Sequence, residues 1–273
     1  MRRNGIAWNY AWRGSESKPV LALVHGFAGS LRSWDDLSSQ LEQHFRLLLI
    51  DLPGHGGTTI PKRAMTLREL GADLGDFVLS VAGRAVMLCG YSLGGRVALH
   101  TALCSPEAVR ALVSIGASPG IEDLRERTVR RASDHALADA IVANSSEWFA
   151  DYWTSLPLFA SQKTLPPEVQ GKLRAARLAC DPQGLAYCLK NFGAGKQEFL
   201  GRELHRLSCP VLLMAGELDE KFSRLNRYLE AAIGTSTVHV VEIPEAGHAA
   251  HIENPNAVAR EIISFAENFR IES

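Results

Sequence analysis

No stretch of this 273-residue sequence approaches the roughly 18 consecutive apolar residues that a membrane-spanning helix requires. Met1-Arg2-Arg3 does not lead into an apolar run of signal-peptide length, so no secretory leader is expected. Cysteine is sparse: Cys89, Cys104, Cys180, Cys188 and Cys209 are odd in number, scattered, and contain no Cys-x-x-Cys pair. That pattern argues against a disulfide or zinc framework. It predicts reduced, mostly buried thiols in a cytoplasmic protein. Charge of one sign is also lacking, because 29 Lys and Arg against 30 Asp and Glu leave a net charge of −1. There is thus no general attraction for nucleic acid or an anionic membrane, and neither is expected as a partner. No internal repeat or low-complexity segment is visible, and no His/Asp/Glu cluster has metal-ligand spacing, so no metal is expected.

What is present starts from Gly90-Tyr91-Ser92-Leu93-Gly94. It lies between the apolar run Ala85-Val86-Met87-Leu88-Cys89 and a segment of helical spacing that begins at Gly95. Strand, Gly-x-Ser-x-Gly, helix is the context of a nucleophile elbow, a sharp turn that lifts a serine hydroxyl above a sheet. The glycines suit a turn with unusual backbone angles and close strand–helix contact. The pentapeptide alone is weak evidence, and its flanks carry the reading.

The flanks alternate strand and helix. Ile6, Trp8, Tyr10 and Trp12 alternate with smaller residues, predicting an N-terminal strand with one buried face. Val20-Leu21-Ala22-Leu23-Val24 is a continuous apolar run, as expected of a parallel strand covered on both sides. Ser33 is the expected cap of a helix from Trp34 to His44. Leu47 to Ile50 reads as the next strand, and Thr66-Leu67-Arg68-Glu69 has capping-box spacing ahead of a helix with Leu67, Leu70, Leu74, Phe77, Val78 and Val81 on one face. Ala111 to Ile115, Val211 to Ala215 and Val238 to Ile243 complete the strands, and Asn254-Pro255 starts a last helix through Phe269. This order predicts an α/β protein with a mostly parallel, doubly wound sheet and right-handed crossovers. Between residues 118 and 206 the alternation stops. Ile121 to Asn144, Ser146 to Thr154, Pro166 to Ala179, Pro182 to Phe192 and a weaker stretch near Glu198 all read as helices. The expected organisation is a core of residues 1–117 and 207–273, with 118–206 as a helical lid inserted over the carboxyl edge of the sheet.

A serine hydroxyl needs a histidine within hydrogen-bond reach and a carboxylate to orient that histidine. In such a sheet both partners come from loops after later strands. Asp219 follows the strand ending at Ala215, and His248 follows the one ending at Ile243. The chain order Ser92, Asp219, His248 is the one this fold uses. Glu217 is the reserve candidate for the acid. The loop His25-Gly26-Phe27 follows an earlier strand, and the amides of Phe27 and Leu93 are the expected oxyanion-hole donors. His25, His55 and His251 read as loop-packing histidines. Arg96 lies one turn into the elbow helix, where the helix dipole disfavours a cation unless an anion meets it. That anion is either a core carboxylate or a carboxylate of the substrate.

Along essentially its whole length the chain resembles the α/β-hydrolase superfamily. Within it, the chain is similar to a family of lyases of menaquinone biosynthesis. The residues that carry this are 51–57 (Asp-Leu-Pro-Gly-His-Gly-Gly), the elbow with Gly95-Arg96-Val97-Ala98, 157–161 (Pro-Leu-Phe-Ala-Ser), 216–222 (Gly-Glu-Leu-Asp-Glu-Lys-Phe) and 246–255. The resemblance implies elimination of pyruvate from 2-succinyl-5-enolpyruvyl-6-hydroxy-3-cyclohexene-1-carboxylate, a tricarboxylate, with no cofactor. It further implies substrate contacts from Tyr91, Arg96, Arg130 (with Ser133-Asp134 behind it), Trp153 and Arg177; Arg127 is the replacement for Arg130 and Tyr152 for Trp153 if the lid alignment slips. Two other readings share the motifs: a serine hydrolase of esters, thioesters or carbon–carbon bonds, and a non-catalytic binding protein on the same fold.

Overall fold

The computed structural model describes residues 2–3, 5–234 and 237–270. Seven strands form the main sheet: β1 (Tyr10–Arg13), β2 (Val20–Val24), β3 (Arg46–Ile50), β4 (Val86–Tyr91), β5 (Val109–Ile115), β6 (Val211–Gly216) and β7 (Val238–Ile243). Their spatial order is β1-β3-β2-β4-β5-β6-β7. Only β1 runs antiparallel, against β3; the other neighbours are parallel. Every side chain of β2 and β4 is buried, because helices cover both faces of the sheet. On one face α2 (Leu67–Ala82) packs against α3 (Leu93–Cys104); on the other α1 (Asp35–Leu41) meets the C-terminal helix Pro255–Asn268. The expected α/β class and mostly parallel sheet are what the structure has.

The strand order reverses between β2 and β4, which are direct neighbours with Val24 opposite Gly90. Loops leaving adjacent strands at such a reversal diverge to opposite faces and leave a crevice at the carboxyl ends. The loop after β2 begins at His25 and the one after β4 at Ser92, so both face that crevice.

Between β5 and β6 the chain is helical: α4 (Leu124–Ala143), α5 (Ser146–Ser155), α6 (Pro167–Leu178) and α7 (Pro182–Phe192). Asp123, Ser145 and Asp181 each accept hydrogen bonds from amides at the start of the following helix, as caps do. A separate apolar cluster with Ala138, Ile141, Phe149, Leu185 and Leu189 joins α4, α5 and α7 to Ala28 in the loop after β2. The remaining helices are α8 (Glu220–Ile233), the short α9 (Ala250–Glu253) and α10, the C-terminal helix already named. Among the described residues no helix is long and apolar enough to cross a membrane.

Four local expectations are corrected. The N-terminal alternation is not one strand: Ile6–Ala7 pairs with Arg2–Arg3 in a separate two-stranded sheet, and only Tyr10–Arg13 joins the main one. The break falls at Asn9, whose amide N–H goes to the Thr58 hydroxyl rather than to a ladder partner. The cap ahead of α1 is Ser30, which opens a 3-10 turn over Leu31–Trp34 and is reciprocated by Ser33. Helix α3 starts at Leu93, two residues ahead of Gly95, because the Ser92 carbonyl already accepts the Arg96 amide. No helix forms around Glu198. There Gly193, Gly195 and Gly201 interrupt the chain, and only a 3-10 turn at Leu204–Arg206 follows.

The elbow is a steric construction. Ser92 adopts φ 50°, ψ −107°, outside the regions a side-chain-bearing residue prefers. It is held there by its amide, which donates to the Ile115 carbonyl at 2.8 Å, and by helix and sheet pressed together on either side. A Cβ on Gly94 would lie 2.1 Å from the Val24 carbonyl oxygen, and one on Gly90 2.2 Å from the Gly94 carbonyl oxygen. Both obstacles are backbone and cannot swing aside. Gly94→Ala is therefore expected to destabilise the fold by about 3 kcal/mol or more, at the upper end of overpacking costs. Chemical denaturation checks this, and a variant within 1 kcal/mol of the parent (about a fivefold change in the folding constant) would contradict it.

Candidate active site

At the carboxyl end of the sheet the Ser92 Oγ lies 3.1 Å from His248 Nε2, and His248 Nδ1 lies 2.8 Å from Asp219 Oδ2. A carboxylate can only accept, so Nδ1 carries the proton toward Asp219 and Nε2 is left to accept from the serine hydroxyl. Asp219 is itself fixed twice. Its amide donates to the Gly216 carbonyl at 2.9 Å, and its Oδ1 accepts from the Phe222 amide at 3.4 Å as the N-cap of α8. Glu217 turns elsewhere, accepting from the Glu245 amide at 3.1 Å. The His248 ring is buried among Tyr91, Phe222 and Phe159, with ring centroids 5.4, 4.5 and 6.1 Å away. Ser92 alone of the three is half-exposed.

The loop carrying His248 is braced by a residue the sequence reading did not single out. Glu253 accepts from the Gly247 amide through Oε2 at 2.7 Å and from the Ala249 amide through Oε1 at 3.1 Å, gripping the backbone on both sides of the histidine. The four-residue helix α9, which starts two residues after His248 and ends at Glu253, returns this carboxylate to the loop. Glu253 lies five residues after His248 within the stretch 246–255, and that spacing is the one signal that could have marked it.

The loop after β2 is held by buried neutral histidines. His25 Nε2 accepts from the Leu52 amide at 3.0 Å, and its Nδ1 donates to the Gly26 carbonyl at 2.7 Å. His55 Nε2 accepts from the Ala28 amide at 3.2 Å. Asp51 ties the neighbouring loops together, accepting from the Leu31 and Gly57 amides and the Asn9 side chain at 2.7, 2.9 and 2.7 Å. Burial lowers the His25 pKa and pulls that of His55 to about 3, so both rings stay uncharged acceptors at neutral pH. His251, its ring tilted against that of Tyr91 with centroids 4.3 Å apart, is also pulled to about 3, by burial first and then by His248. Among the described residues no hydrogen bond takes the amide of Phe27 or of Leu93. Leu93 is the first residue of α3, where helix amides are free and the dipole is positive.

Ser92, His248, Phe27, Leu93 and Tyr91 open onto one cavity of about 850 Å³. Arg96 and Arg130 line it, as do Lys221, Trp153 and Phe159, while Arg127 and Tyr152 do not. Tyr152 is instead stacked on Trp148, 5.2 Å away. Trp153 forms the apolar wall, 4.9 Å from the Phe27 ring and 5.7 Å from that of Phe159. Three carboxylates, Glu122, Asp123 and Glu126, also line the cavity, so its lining is mixed in sign. Arg130 donates to Asp134 at 2.8 Å, whereas Arg96 has no carboxylate partner among the described residues and donates from Nη1 to the Phe192 carbonyl at 2.9 Å and to Gln197 Oε1 at 3.2 Å. The core carboxylate considered from the sequence is therefore not what meets Arg96. One expected residue is not brought in. Arg177 is buried behind Phe159, its Nη2 donating to Gln162 Oε1 at 2.7 Å, and it lines a separate pocket of about 260 Å³. The reason is geometric: the guanidinium lies over the Phe159 ring, which forms part of the wall of both spaces.

Comparison with known proteins gives the following. A family model described as alpha/beta hydrolase fold matches residues 19–255. A Bacillus subtilis protein, named provisionally as a 2-succinyl-6-hydroxy-2,4-cyclohexadiene-1-carboxylate synthase, is 36% identical over 265 residues, covering 96% of this chain and 95% of the relative. The synthase of that name from Salmonella agona is 36% identical over 249 residues, 90% of this chain and 92% of its own. Among solved structures, MenH from S. aureus superposes with a TM-score of 0.90 at 29% identity, covering 96% of this chain and 98% of that one.

Two outcomes follow from the geometry. Labelling of Ser92 by a fluorophosphonate is expected to slow about 10- to 100-fold in Glu253→Ala, because a misplaced partner of 1 Å costs that much; an unchanged rate would show that the brace is dispensable. The buried neutral histidines also set an acid limit. His55, His100 and His251 sit near pKa 3 in the folded protein, chiefly through burial, against 6.5 when exposed. The unfolded chain thus binds more protons between those values, and stability falls as pH drops below 6.5. At pH 5 each contributes a loss of about 2 kcal/mol. Unfolding free energies that are flat from pH 7 to pH 5 would contradict this.

Proposed function

The chain belongs to the alpha/beta hydrolase fold family, and from that premise we propose that it is a lyase of menaquinone biosynthesis. It removes pyruvate from 2-succinyl-5-enolpyruvyl-6-hydroxy-3-cyclohexene-1-carboxylate to give 2-succinyl-6-hydroxy-2,4-cyclohexadiene-1-carboxylate. The names of the Bacillus and Salmonella relatives support the reaction. The observation that carries the reading to this chain is Arg96. One turn beyond Ser92, in α3, a guanidinium without a carboxylate partner among the described residues lines the cavity that holds the serine hydroxyl. The substrate brings three carboxylates, and arginine is the planar, bidentate donor such groups require.

In this reading Ser92 Oγ takes the ring proton next to the succinyl ketone as its own proton passes to His248 Nε2. Asp219 steadies the imidazolium that results. The ketone is the electron sink, and the amides of Phe27 and Leu93 hold the enolate oxygen. The electron pair then moves through the ring double bond and expels the enolpyruvyl oxygen. The proton on His248 leaves with the departing group, which is released as pyruvate, and the triad returns to its starting state. No cofactor takes part. Tyr91 and Trp153 bound the substrate, Arg96 and Arg130 take its carboxylates, and the helical segment 118–206 acts as the lid that keeps water away from the enolate.

The test is incubation with the enolpyruvyl precursor, following pyruvate and the absorbance of the conjugated diene. Ser92→Ala is expected to lose turnover about 10³-fold or more while still binding substrate, and Arg96→Ala to raise KM by about 10- to 100-fold. Near-normal turnover by Ser92→Ala would remove the proposed base. An acyl-serine that accumulates with simple esters at high efficiency would instead favour a hydrolase.

A further inference from the structure

The charge of Arg96 is unquenched because of what surrounds it. Both acceptors that hold Nη1 are neutral: the Phe192 carbonyl, at the end of α7, and the Gln197 side chain. Nε and Nη2, the edge of a guanidinium that grips a carboxylate with two parallel bonds, take no partner among the described residues. Asp134, the carboxylate among the described residues that bears on Arg96 electrostatically, is already engaged by Arg130 Nε and by the Gly195 amide, at 2.8 and 3.0 Å. Burial lowers the Arg96 pKa to about 10, as expected of a cation removed from water without a counterion.

Gln197 is 1% exposed and both ends of its amide are assigned by chemistry. The guanidinium only donates, so Oε1 faces Arg96; the Ser118 carbonyl only accepts, so Nε2 faces it, at 3.1 Å. Ser118 lines the cavity, so this one side chain links the arginine to the cavity wall. Glutamate has the same shape, and at this place it would supply the counterion that the arginine lacks. A buried, hydrogen-bonded ion pair would then compete with any anion entering the site.

We propose that Gln197 is a positioning residue of the site: a neutral acceptor that aims the Arg96 guanidinium at the cavity without neutralising it, leaving its Nε–Nη2 edge for a substrate carboxylate. The inference rests on the proposed polycarboxylate substrate and names the residue that makes the site selective for it. Nothing in the linear pattern marks Gln197, because a glutamine in a loop is ordinary and its partner lies 101 positions away.

The test compares Gln197→Glu with Gln197→Met, which keeps the bulk and removes the acceptor. With the enolpyruvyl precursor at pH 8, Gln197→Glu should raise KM tenfold or more with a smaller change in kcat. Beside the guanidinium the new carboxylate stays ionised, so the rise in KM should persist at pH 6. Gln197→Met should raise KM by a few-fold at both pH values. Arg130, Asp134, Cys188 and His100 also face Arg96 electrostatically, but they are common to all the proteins, so the difference isolates position 197. A Gln197→Glu KM within twofold of the parent at pH 8, or equal shifts in both variants, would overturn the inference. A parent protein that releases no pyruvate overturns the reaction instead. Calorimetric titration with citrate, a tricarboxylate that needs no turnover, then decides the inference alone: binding tenfold weaker in Gln197→Glu supports it, and binding that is equal in both or absent from the parent overturns it. Should Gln197→Glu fail to fold, the Gln197→Met values decide the matter, and parent-like KM and citrate affinity would overturn it.

Discussion

The close approach of Gly94 to the carbonyl of Val24 is the contact on which the site depends. It lets α3 begin directly against the neighbouring strand, and three consequences follow from that one packing distance. Ser92 is forced into a backbone conformation that lifts its hydroxyl from the sheet. The first free amide of the helix, at Leu93, faces the same crevice as the loop after β2. Arg96 arrives one turn later with its charge beside the positive end of a helix, a cost that an entering anion relieves. The lift of the Ser92 hydroxyl, the free Leu93 amide and the position of Arg96 are thus a single steric decision.

Around this element the structure uses neutral groups where charged ones would compete. The rings of His25 and His55 act as uncharged acceptors for the Leu52 and Ala28 amides. Arg96 is tethered by a carbonyl and a carboxamide. Asp134, Glu253 and Asp51 are each committed: Asp134 to Arg130 and Gly195, Glu253 to Gly247 and Ala249, Asp51 to Leu31 and Gly57. A low-dielectric cavity magnifies every unpaired charge, so committing Asp134 to Arg130 leaves Arg96 as a local source of attraction for an entering anion.

The sheet and the residues Ser92, Asp219 and His248 were legible because each is announced by what precedes it: a buried apolar run, then a turn, then the chemistry-bearing residue. Parallel strands force functional groups to one edge, so chain order carries spatial information. Elsewhere that link is weaker. Ser30 rather than Ser33 caps the first turn because two serines three residues apart satisfy each other, a choice the local sequence allows either way. Arg127, Arg130 and Arg177 look alike in sequence, and tertiary packing alone decides that Arg130 lines the cavity while Arg177 lies behind Phe159. Gln197 was illegible for a further reason: its role consists of hydrogen bonds to a backbone carbonyl and to a distant guanidinium, and such bonds impose no spacing of their own.

All of this serves one chemical claim, that the serine hydroxyl works with its substrate as a base and not as an attacking oxygen. The most direct measurement is the deuterium isotope effect on kcat/KM with the precursor labelled at the ring carbon next to the succinyl ketone, made on Asp219→Asn so that proton transfer limits the rate. The account predicts a ratio well above unity. A ratio of one in that slowed enzyme would contradict it.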